Sequence, residues 1–90
     1  MYSLIFTESY VKREIRFLKK HPDIIERYKK VLSLLELNPL HPSLRLHKLK
    51  GKQKELYSVS LSIQYRLVII LLINKKRIIP VDVGTHKEVY

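Results

Sequence analysis

The amino-acid sequence predicts a single α+β domain in which a helix hairpin packs on one face of a mainly antiparallel four-stranded sheet. Two stretches between residues 8 and 37 repeat apolar residues at helical spacing, and the pattern changes to strict alternation after residue 56. The chain has 90 residues, the size of one domain, so we assign residues 1–90 to a single unit. The predicted element order is β-α-α-β-β-β, and the three successive strands are expected to pair.

The N-terminal segment predicts the first strand and the first helix. Tyr2–Thr7 alternates in the manner of a short strand. Thr7 is a residue type that caps helix N-termini, and Glu8 complements the helix dipole in the first turn. A helix is therefore expected over about Glu8–Lys20. Its buried stripe is expected to consist of Val11, Ile15 and Leu18.

A second helix is predicted after the sequence His21-Pro22-Asp23. The residue before a proline avoids helical geometry, whereas proline itself suits the first position of a helix. The helix is expected to run from Pro22 to about Leu37, where Asn38-Pro39 ends it, and to form an αα-hairpin with the first helix. The side chains predicted to be buried on this helix are Ile24, Tyr28, Val31, Leu32 and Leu35.

The second half of the chain predicts the remaining strands. Apolar residues at 57, 59, 61 and 63 alternate with three serines and a glutamine, which indicates one buried face and one small polar face. Tyr65–Ile73 is apolar at almost every position, as in a central strand covered on both faces. Asn74–Lys76 is expected to turn into a return strand, Arg77–Val83, in which Pro80 marks an edge or a bulge. Residues 84–90 are expected to form a turn or a short helical segment.

The composition excludes several classes of protein. Eighteen lysines and arginines against eight acidic residues give a formal net charge of +10, and residues 45–90 carry most of the excess. This half predicts a surface for a polyanion, either a nucleic acid or an acidic protein. The absence of cysteine excludes disulfides, thiolate zinc sites and cysteine nucleophiles, and it suits the cytoplasm. The longest apolar run, Leu67–Ile73, is too short to span a membrane, and no signal-peptide pattern opens the sequence.

Arg66 and His86 are the strongest candidates for a functional site. Arg66 interrupts the apolar central strand, so it is expected either to pair with Asp82 on the neighbouring strand or to bind a phosphate. His86 follows Gly84-Thr85, where the last strand ends. Histidine is suited to proton transfer near neutral pH, but an ordinary surface position is the alternative.

Weaker signals surround these two residues. His41 and His47 are equally compatible with surface histidines, and the histidines have no recognised metal-ligand spacing. Ser58, Ser60 and Ser62 form either a solvated face or the floor of a groove. No glycine-rich phosphate loop or other cofactor motif is present, so we expect no cofactor and no metal. The lysines expected to meet phosphates are Lys48, Lys50, Lys52 and Lys54.

Four segments together resemble the RelE/ParE superfamily of toxins from bacterial toxin–antitoxin modules. They are His47–Gly51, Leu56–Leu61, Tyr65–Val68 and Asp82–Tyr90. The closing Gly-Thr-His signature is most similar to the YafQ-like branch, whereas the Tyr-Arg-Leu-Val segment is shared more widely across RelE. The resemblance covers essentially the whole chain, and the predicted element order fits the same fold.

The resemblance implies a ribosome-dependent mRNA endonuclease, or mRNA interferase, that inhibits translation and is silenced by a cognate antitoxin. The implied partners are an acidic antitoxin segment, the 70S ribosome and mRNA, with no membrane. Such an enzyme uses the 2′-OH of the RNA as its nucleophile, so it requires no metal or covalent intermediate. It requires a general base, cations that stabilise the phosphorane, and an acid for the leaving 5′-oxygen.

The resemblance also implies roles for individual residues. His47 and His86 match positions for acid–base chemistry, and Arg66 matches the strand arginine that stabilises the scissile phosphate. Tyr90 matches a terminal aromatic residue that orients the substrate. Tyr65 lies beside a position that is aromatic in several members, where it is expected to stack on a base.

The sequence departs from the family pattern on the serine strand. RelE has two catalytic lysines where this chain has Ser58 and Ser60, which are expected to contact the RNA without adding charge. Catalysis then depends more on His47 and His86, or on support from Asp82. Two alternatives share the fold: a ParE-like inhibitor of DNA gyrase that cuts nothing, and a catalytically inert RNA-binding domain.

Overall fold

The computed structural model describes residues 1–51 and 55–89 and has two layers, a helix hairpin and a five-stranded sheet. The helices are α1 (Glu8–Lys20), α2 (Ile25–Leu37) and the short α3 (His86–Val89). The strands are β1 (Ser3–Leu4), β2 (His47–Lys48), β3 (Leu56–Ser60), β4 (Tyr65–Leu72) and β5 (Arg77–Thr85). Within the described ranges, every helix is too short or too polar to cross a membrane.

The strands lie in the order β1-β5-β4-β3-β2, with β1 parallel to β5 and the other neighbours antiparallel. The predicted α+β class, helix hairpin and mainly antiparallel sheet are confirmed, but the described sheet has five strands rather than four. The additional strand, β2, pairs His47 with Ser58 and Lys48 with Tyr57. Two residues are too few to show the alternation that identifies a strand in a sequence.

α1 begins and ends where the sequence predicts. Thr7 Oγ1 accepts a hydrogen bond from the backbone N–H of Tyr10 at 3.2 Å, which satisfies one donor that the helix N-terminus leaves unpaired. The predicted buried stripe is wrong in part, because Ile15 is 51% exposed and Tyr10 and Phe17 are buried instead. A tyrosine can lie in a core when its hydroxyl finds a partner there. The other predicted members of the stripe, both half-buried, are Val11 and Leu18.

The second helix has the predicted extent, although its first turn, Pro22–Ile24, is a 3-10 helix and α2 begins at Ile25. Its predicted core face is confirmed, with Leu32 half-buried and the other four side chains buried. They pack with apolar residues of the sheet, which are Val59, Leu67, Ile69, Leu71, Ile78 and Val83. Burial of each such side chain contributes about 1.5–3 kcal/mol before the entropy of ordering the chain is subtracted.

β1 is shorter than the predicted strand over Tyr2–Thr7. It pairs only at Ser3–Leu4, opposite Arg77 and Ile78 at the start of β5. Beyond this pairing the chain leaves the sheet towards α1, and Phe6 is 42% exposed. The alternating pattern over Tyr2–Thr7 therefore predicts a longer buried strand than the two residues that pair.

β3 also ends earlier than the alternation predicts. Ser62 Oγ accepts hydrogen bonds from the backbone N–H groups of Gln64 and Tyr65, each at 3.2 Å, and these bonds stabilise a turn after Ser60. Ile63 lies in this turn and is fully exposed, although the alternation predicts that it is buried. Side-chain hydrogen bonds of this kind compete with strand pairing.

β4 is the central strand, as predicted, with β3 on one side and β5 on the other. β5 contains the bulge that its proline predicts. Ile69 of β4 lies opposite Pro80, whereas Val68 lies opposite Asp82, so β5 has one extra residue at this point. After the bulge, β5 continues past its predicted end to Thr85.

Three polar side chains join α1 to α2 in the interior. The Tyr28 hydroxyl donates a hydrogen bond to Glu14 Oε2 at 2.6 Å, and the hydroxyl groups of Tyr10 and Tyr28 are 2.5 Å apart. Because Tyr28 has one hydroxyl proton and donates it to Glu14, Tyr10 donates to Tyr28. Burial, more than any neighbouring group, raises the pKa of both phenols, so both are protonated near neutral pH.

Tyr28→Phe is expected to destabilise the protein more than Tyr10→Phe. The first change removes both the acceptor for Tyr10 and the donor to Glu14, and a buried hydroxyl without a partner costs about 1–3 kcal/mol. The second change leaves the bond from Tyr28 to Glu14 intact and is expected to cost about 1 kcal/mol or less. Urea unfolding of the three proteins measures the order. A larger loss in Tyr10→Phe would contradict the direction of the hydrogen-bond chain.

Alkaline pH is expected to weaken the fold through the same two phenols. The pKa of each phenol is raised in the folded protein, whereas an exposed tyrosine in the unfolded chain has a pKa of about 10. Below about pH 10 both states are protonated, so the two phenols contribute their full share to the free energy of unfolding. Above that pH the unfolded chain releases these protons first, so the free energy of unfolding falls as the pH rises. The urea midpoint measured from pH 8 to 11 should therefore fall less steeply in Tyr10→Phe than in the wild type. Identical slopes would contradict a contribution from Tyr10.

Candidate active site

Side chains from three separate segments of the chain line one small open cleft of about 330 Å³. We call it the basic cleft, because its lining contains two guanidinium groups, two imidazoles and no carboxylate among the described residues. Its members include three of the four residues predicted to be catalytic, and the fourth, Tyr90, lies outside the described residues. The lining residues are Arg45, Leu46, His47, Arg66 and His86.

Strand register brings these segments together. In β4, Arg66 lies between its cross-strand partners Ser60 of β3 and Gly84 of β5. Gly84 has no side chain to cover Arg66, and His86 follows shortly after it as the first residue of α3. On the other side, the pairing of β2 with β3 brings His47 to the same cleft. The predicted convergence of His47, Arg66 and His86 therefore depends on antiparallel pairing across four strands.

Arg66 does not form the ion pair with Asp82 that was one of its two predicted roles. Asp82 Oδ2 lies 3.4 Å from Nη1 of Arg13 on α1, and Asp82 Oδ1 accepts a hydrogen bond from the backbone N–H of Val83 at 2.9 Å. The bulge in β5 interrupts the alternation there, and the carboxylate turns to α1. Asp82 lines a second cleft beside α1 and is not among the residues that line the basic cleft. Among the described acidic side chains, Arg66 has no ion-pair partner.

The two histidines of the cleft are both exposed. An exposed imidazole can exchange protons with water and with a bound substrate, as a general acid or base must. The described residues contain no group of three or more His, Asp and Glu side chains that could hold a metal ion. The arrangement offers two groups for proton transfer beside two cations.

Lys48, the first of the four predicted phosphate-binding lysines, does not line the basic cleft. Lys48 Nζ is 5.4 Å from the centroid of the Tyr57 ring, and both residues line a separate cleft. Neighbouring residues of a strand point to opposite faces, so Lys48 and His47 diverge. The other predicted lysines are the exposed Lys50 and two residues outside the described ranges, Lys52 and Lys54.

Three further residues predicted to contact RNA, Ser58, Ser60 and Tyr65, make contacts within the protein. The Ser58 side chain is fully buried between β2 and β4, so it is not accessible to a ligand. Tyr65 packs on α1, with ring centroids 5.2 Å from Phe17 and 4.6 Å from His21, and its hydroxyl is 3.0 Å from His21 Nδ1. The stacking of Tyr65 on a base stays a prediction. Ser60 is half-buried, and its hydroxyl donates to a backbone carbonyl at 3.0 Å.

Arg45 is the charged cleft residue that the sequence did not indicate. It follows a 3-10 turn over Pro42–Leu44 in the left-handed backbone conformation, with φ 49° and ψ 51°. Glycine or asparagine usually occupies such a position, and an arginine in an irregular segment otherwise predicts a solvated charge. No pattern in the sequence therefore indicates that the chain directs this side chain to the cleft.

Arg66→Gln is expected to change the free energy of unfolding by less than about 0.5 kcal/mol, because no described partner loses an ion pair. Asp82→Asn is the matched comparison, since it breaks a partly exposed pair with Arg13 and is expected to cost about 0–1 kcal/mol. Urea unfolding measures both values. A loss above about 2 kcal/mol in Arg66→Gln would indicate a structural role and contradict the assignment of Arg66 to the cleft.

Solved structures share this fold over all or nearly all of the chain. A chain in the E. coli DinJ–YafQ complex superposes with a TM-score of 0.83 at 20% identity, covering 100% of this chain and 99% of that chain. A metal-bound toxin from Helicobacter pylori has a TM-score of 0.76 at 26% identity, covering 100% of both chains. The YoeB–YefM complex from Staphylococcus aureus gives a TM-score of 0.72 at 18% identity, covering 96% of this chain and 98% of that chain.

Sequence comparison agrees with the structural likeness. No curated protein matches this sequence. The family model described as the bacterial toxin of type II toxin–antitoxin system, YafQ, matches residues 2–90, which is almost the whole chain. The chain therefore belongs to the YafQ family of toxins from bacterial type II toxin–antitoxin systems.

Proposed function

We propose that this toxin is a ribosome-dependent endoribonuclease that cleaves mRNA and thereby inhibits translation. The observation that carries the proposal is the presence of His47, Arg66 and His86 in one cleft without a described carboxylate. Cleavage of RNA through its own 2′-OH requires a proton acceptor, a proton donor and positive charge at the phosphate. These three side chains are of the required types.

The reaction begins with attack of the 2′-oxygen on the adjacent phosphorus. One imidazole accepts the 2′-hydroxyl proton as the new P–O bond forms, and the other donates a proton to the 5′-oxygen as its bond to phosphorus breaks. The products are a 2′,3′-cyclic phosphate and a 5′-hydroxyl, so the step consumes no water and needs no metal or cofactor. DNA, which lacks the 2′-hydroxyl, is not a substrate for this reaction.

Arg66 supplies positive charge to the phosphorane in this proposal. A guanidinium group makes paired, charge-assisted hydrogen bonds with phosphate oxygens, and these strengthen as negative charge develops. No described carboxylate competes for Arg66. Because Ser58 and Ser60 leave β3 uncharged, the stabilising charge comes from arginine rather than from strand lysines.

The same cleft offers a means of silencing by the antitoxin. Related toxins have been solved in the DinJ–YafQ and YoeB–YefM complexes. An acidic antitoxin segment would complement a chain with a net charge of +10 and would cover Arg66 and His86. The other partners are the 70S ribosome and mRNA, which makes the cytoplasm the site of action.

Toeprinting on translating ribosomes tests the proposal, with growth after induction without antitoxin as a second readout. The wild type is expected to cut the mRNA and arrest growth. Arg66→Gln and His86→Ala are each expected to cut about 100-fold more slowly, because each loses a group that acts on the reacting atoms. Arg77→Gln is the matched control, since Arg77 is an exposed arginine at the opposite end of β5 from His86, and its rate is expected to stay within about 2-fold.

Other outcomes would identify other functions. Full activity of both cleft variants would contradict the assigned roles of Arg66 and His86. A DNA-damage response without mRNA cleavage would identify a gyrase inhibitor instead. Binding to RNA without cleavage in translating extracts would identify an inert RNA-binding member of the fold.

A further inference from the structure

Arg45 combines an unfavourable backbone conformation with a side chain in the basic cleft. Its φ of 49° lies in the left-handed region, where glycine and asparagine are common and long side chains are not. The conformation closes the 3-10 turn, since the backbone N–H of Arg45 donates to the carbonyl of Pro42 at 3.1 Å. The turn needs this backbone shape, but it does not need a guanidinium group.

Neighbouring residues anchor Arg45 on both sides. Leu44 is 1% exposed and belongs to the core. Leu46 is half-buried against the core, and His47 then enters β2 and pairs with Ser58. Arg45 is itself exposed, yet its backbone lies between two fixed points, so its side chain starts from a defined position at the cleft.

The charges in the cleft suit an anion with several oxygens. Arg45 and Arg66 share a space of about 330 Å³ without a described carboxylate to neutralise them. Two guanidinium groups repel each other unless an anion lies between them. Each can make paired hydrogen bonds with phosphate oxygens, and a phosphodiester gains negative charge as it is cleaved.

We propose that Arg45 is a second arginine that contacts the scissile phosphate, together with Arg66, and that it supplies charge which Ser58 and Ser60 do not. This inference rests on the proposed ribonuclease function. Because the phosphorane carries more charge than the bound phosphodiester, Arg45 stabilises the transition state more than the ground state. Removal of Arg45 therefore lowers kcat more than it raises KM.

Arg45→Asn tests this inference, with Lys76→Asn as its matched control. Lys76 also has a left-handed backbone, with φ 52°, and lies in the exposed turn between β4 and β5, outside the basic cleft. Asparagine tolerates this conformation better than arginine or lysine, so both variants are expected to remain folded. Each loses one positive charge and relieves one unfavourable φ, and only Arg45→Asn removes a cation from the cleft.

On translating ribosomes, Arg45→Asn is expected to lower kcat about 10–100-fold with a change in KM below about 3-fold, since a charged hydrogen bond is lost in the transition state. Lys76→Asn is expected to keep kcat within about 2-fold of the wild type. Equal rates for the two variants, or a change in KM alone, would overturn the proposal.

Binding of an uncleavable dinucleotide separates this inference from the proposed function. A 2′-O-methylated dinucleotide retains the phosphodiester, and NMR signals of the arginine Nε–Hε groups report its contact with the isolated toxin. The signals of Arg45 and Arg66 are expected to shift together, and the affinity is expected to fall about 2–3-fold in Arg45→Asn but not in Lys76→Asn.

The combined results distinguish the possible failures. If this binding pattern is observed while the wild type cuts no mRNA, the phosphate contact stands and the ribonuclease function is wrong. If the wild type cuts mRNA but the Arg45 signal does not respond, the role of Arg45 is wrong. A toxin that neither cuts mRNA nor binds the dinucleotide overturns both.

Discussion

The register between β3, β4 and β5 is the constraint on which both the core and the basic cleft depend. Leu67 lies between Val59 and Val83 and packs with them in the core, while its neighbour Arg66 lines the cleft. Successive side chains of a strand point to opposite faces, so a slip of one residue would bury Arg66 and expose Leu67. The packing that stabilises this small domain therefore also fixes the position of the guanidinium group.

Most of the fold could be predicted because its signals are local or periodic. Thr7 predicts a helix cap and Pro80 predicts an edge or a bulge, and each signal depends only on residues nearby in the sequence. The cap at Thr7 and the bulge next to Pro80 are both confirmed. The wrong predictions concern residues whose burial depends on a partner far away in the sequence. Tyr10 is buried in preference to Ile15 because Tyr28 of the other helix accepts its hydrogen bond. That satisfied contact also restricts how the helices can pack, and the sequence of α1 alone does not contain this information.

The site could be predicted in part from the sequence pattern, which indicated Arg66 and His86, and in part from the family likeness, which added His47. The fold brings these three residues to one cleft, and their chemical roles are still predictions. The sequence could not indicate Arg45, because a single left-handed residue leaves no trace in hydrophobic periodicity. The sequence also could not indicate which way the Asp82 side chain points. Side chains stop alternating between the two faces of β5 where an extra residue is inserted.

The bulge in β5 also affects how this chain should be aligned with relatives. Residues 77–80 and residues 82–85 pair with β4 in registers that differ by one residue, and Val81 separates the two segments. A relative with a regular strand here must be aligned with a one-residue gap, or its residues will be transferred to the wrong face.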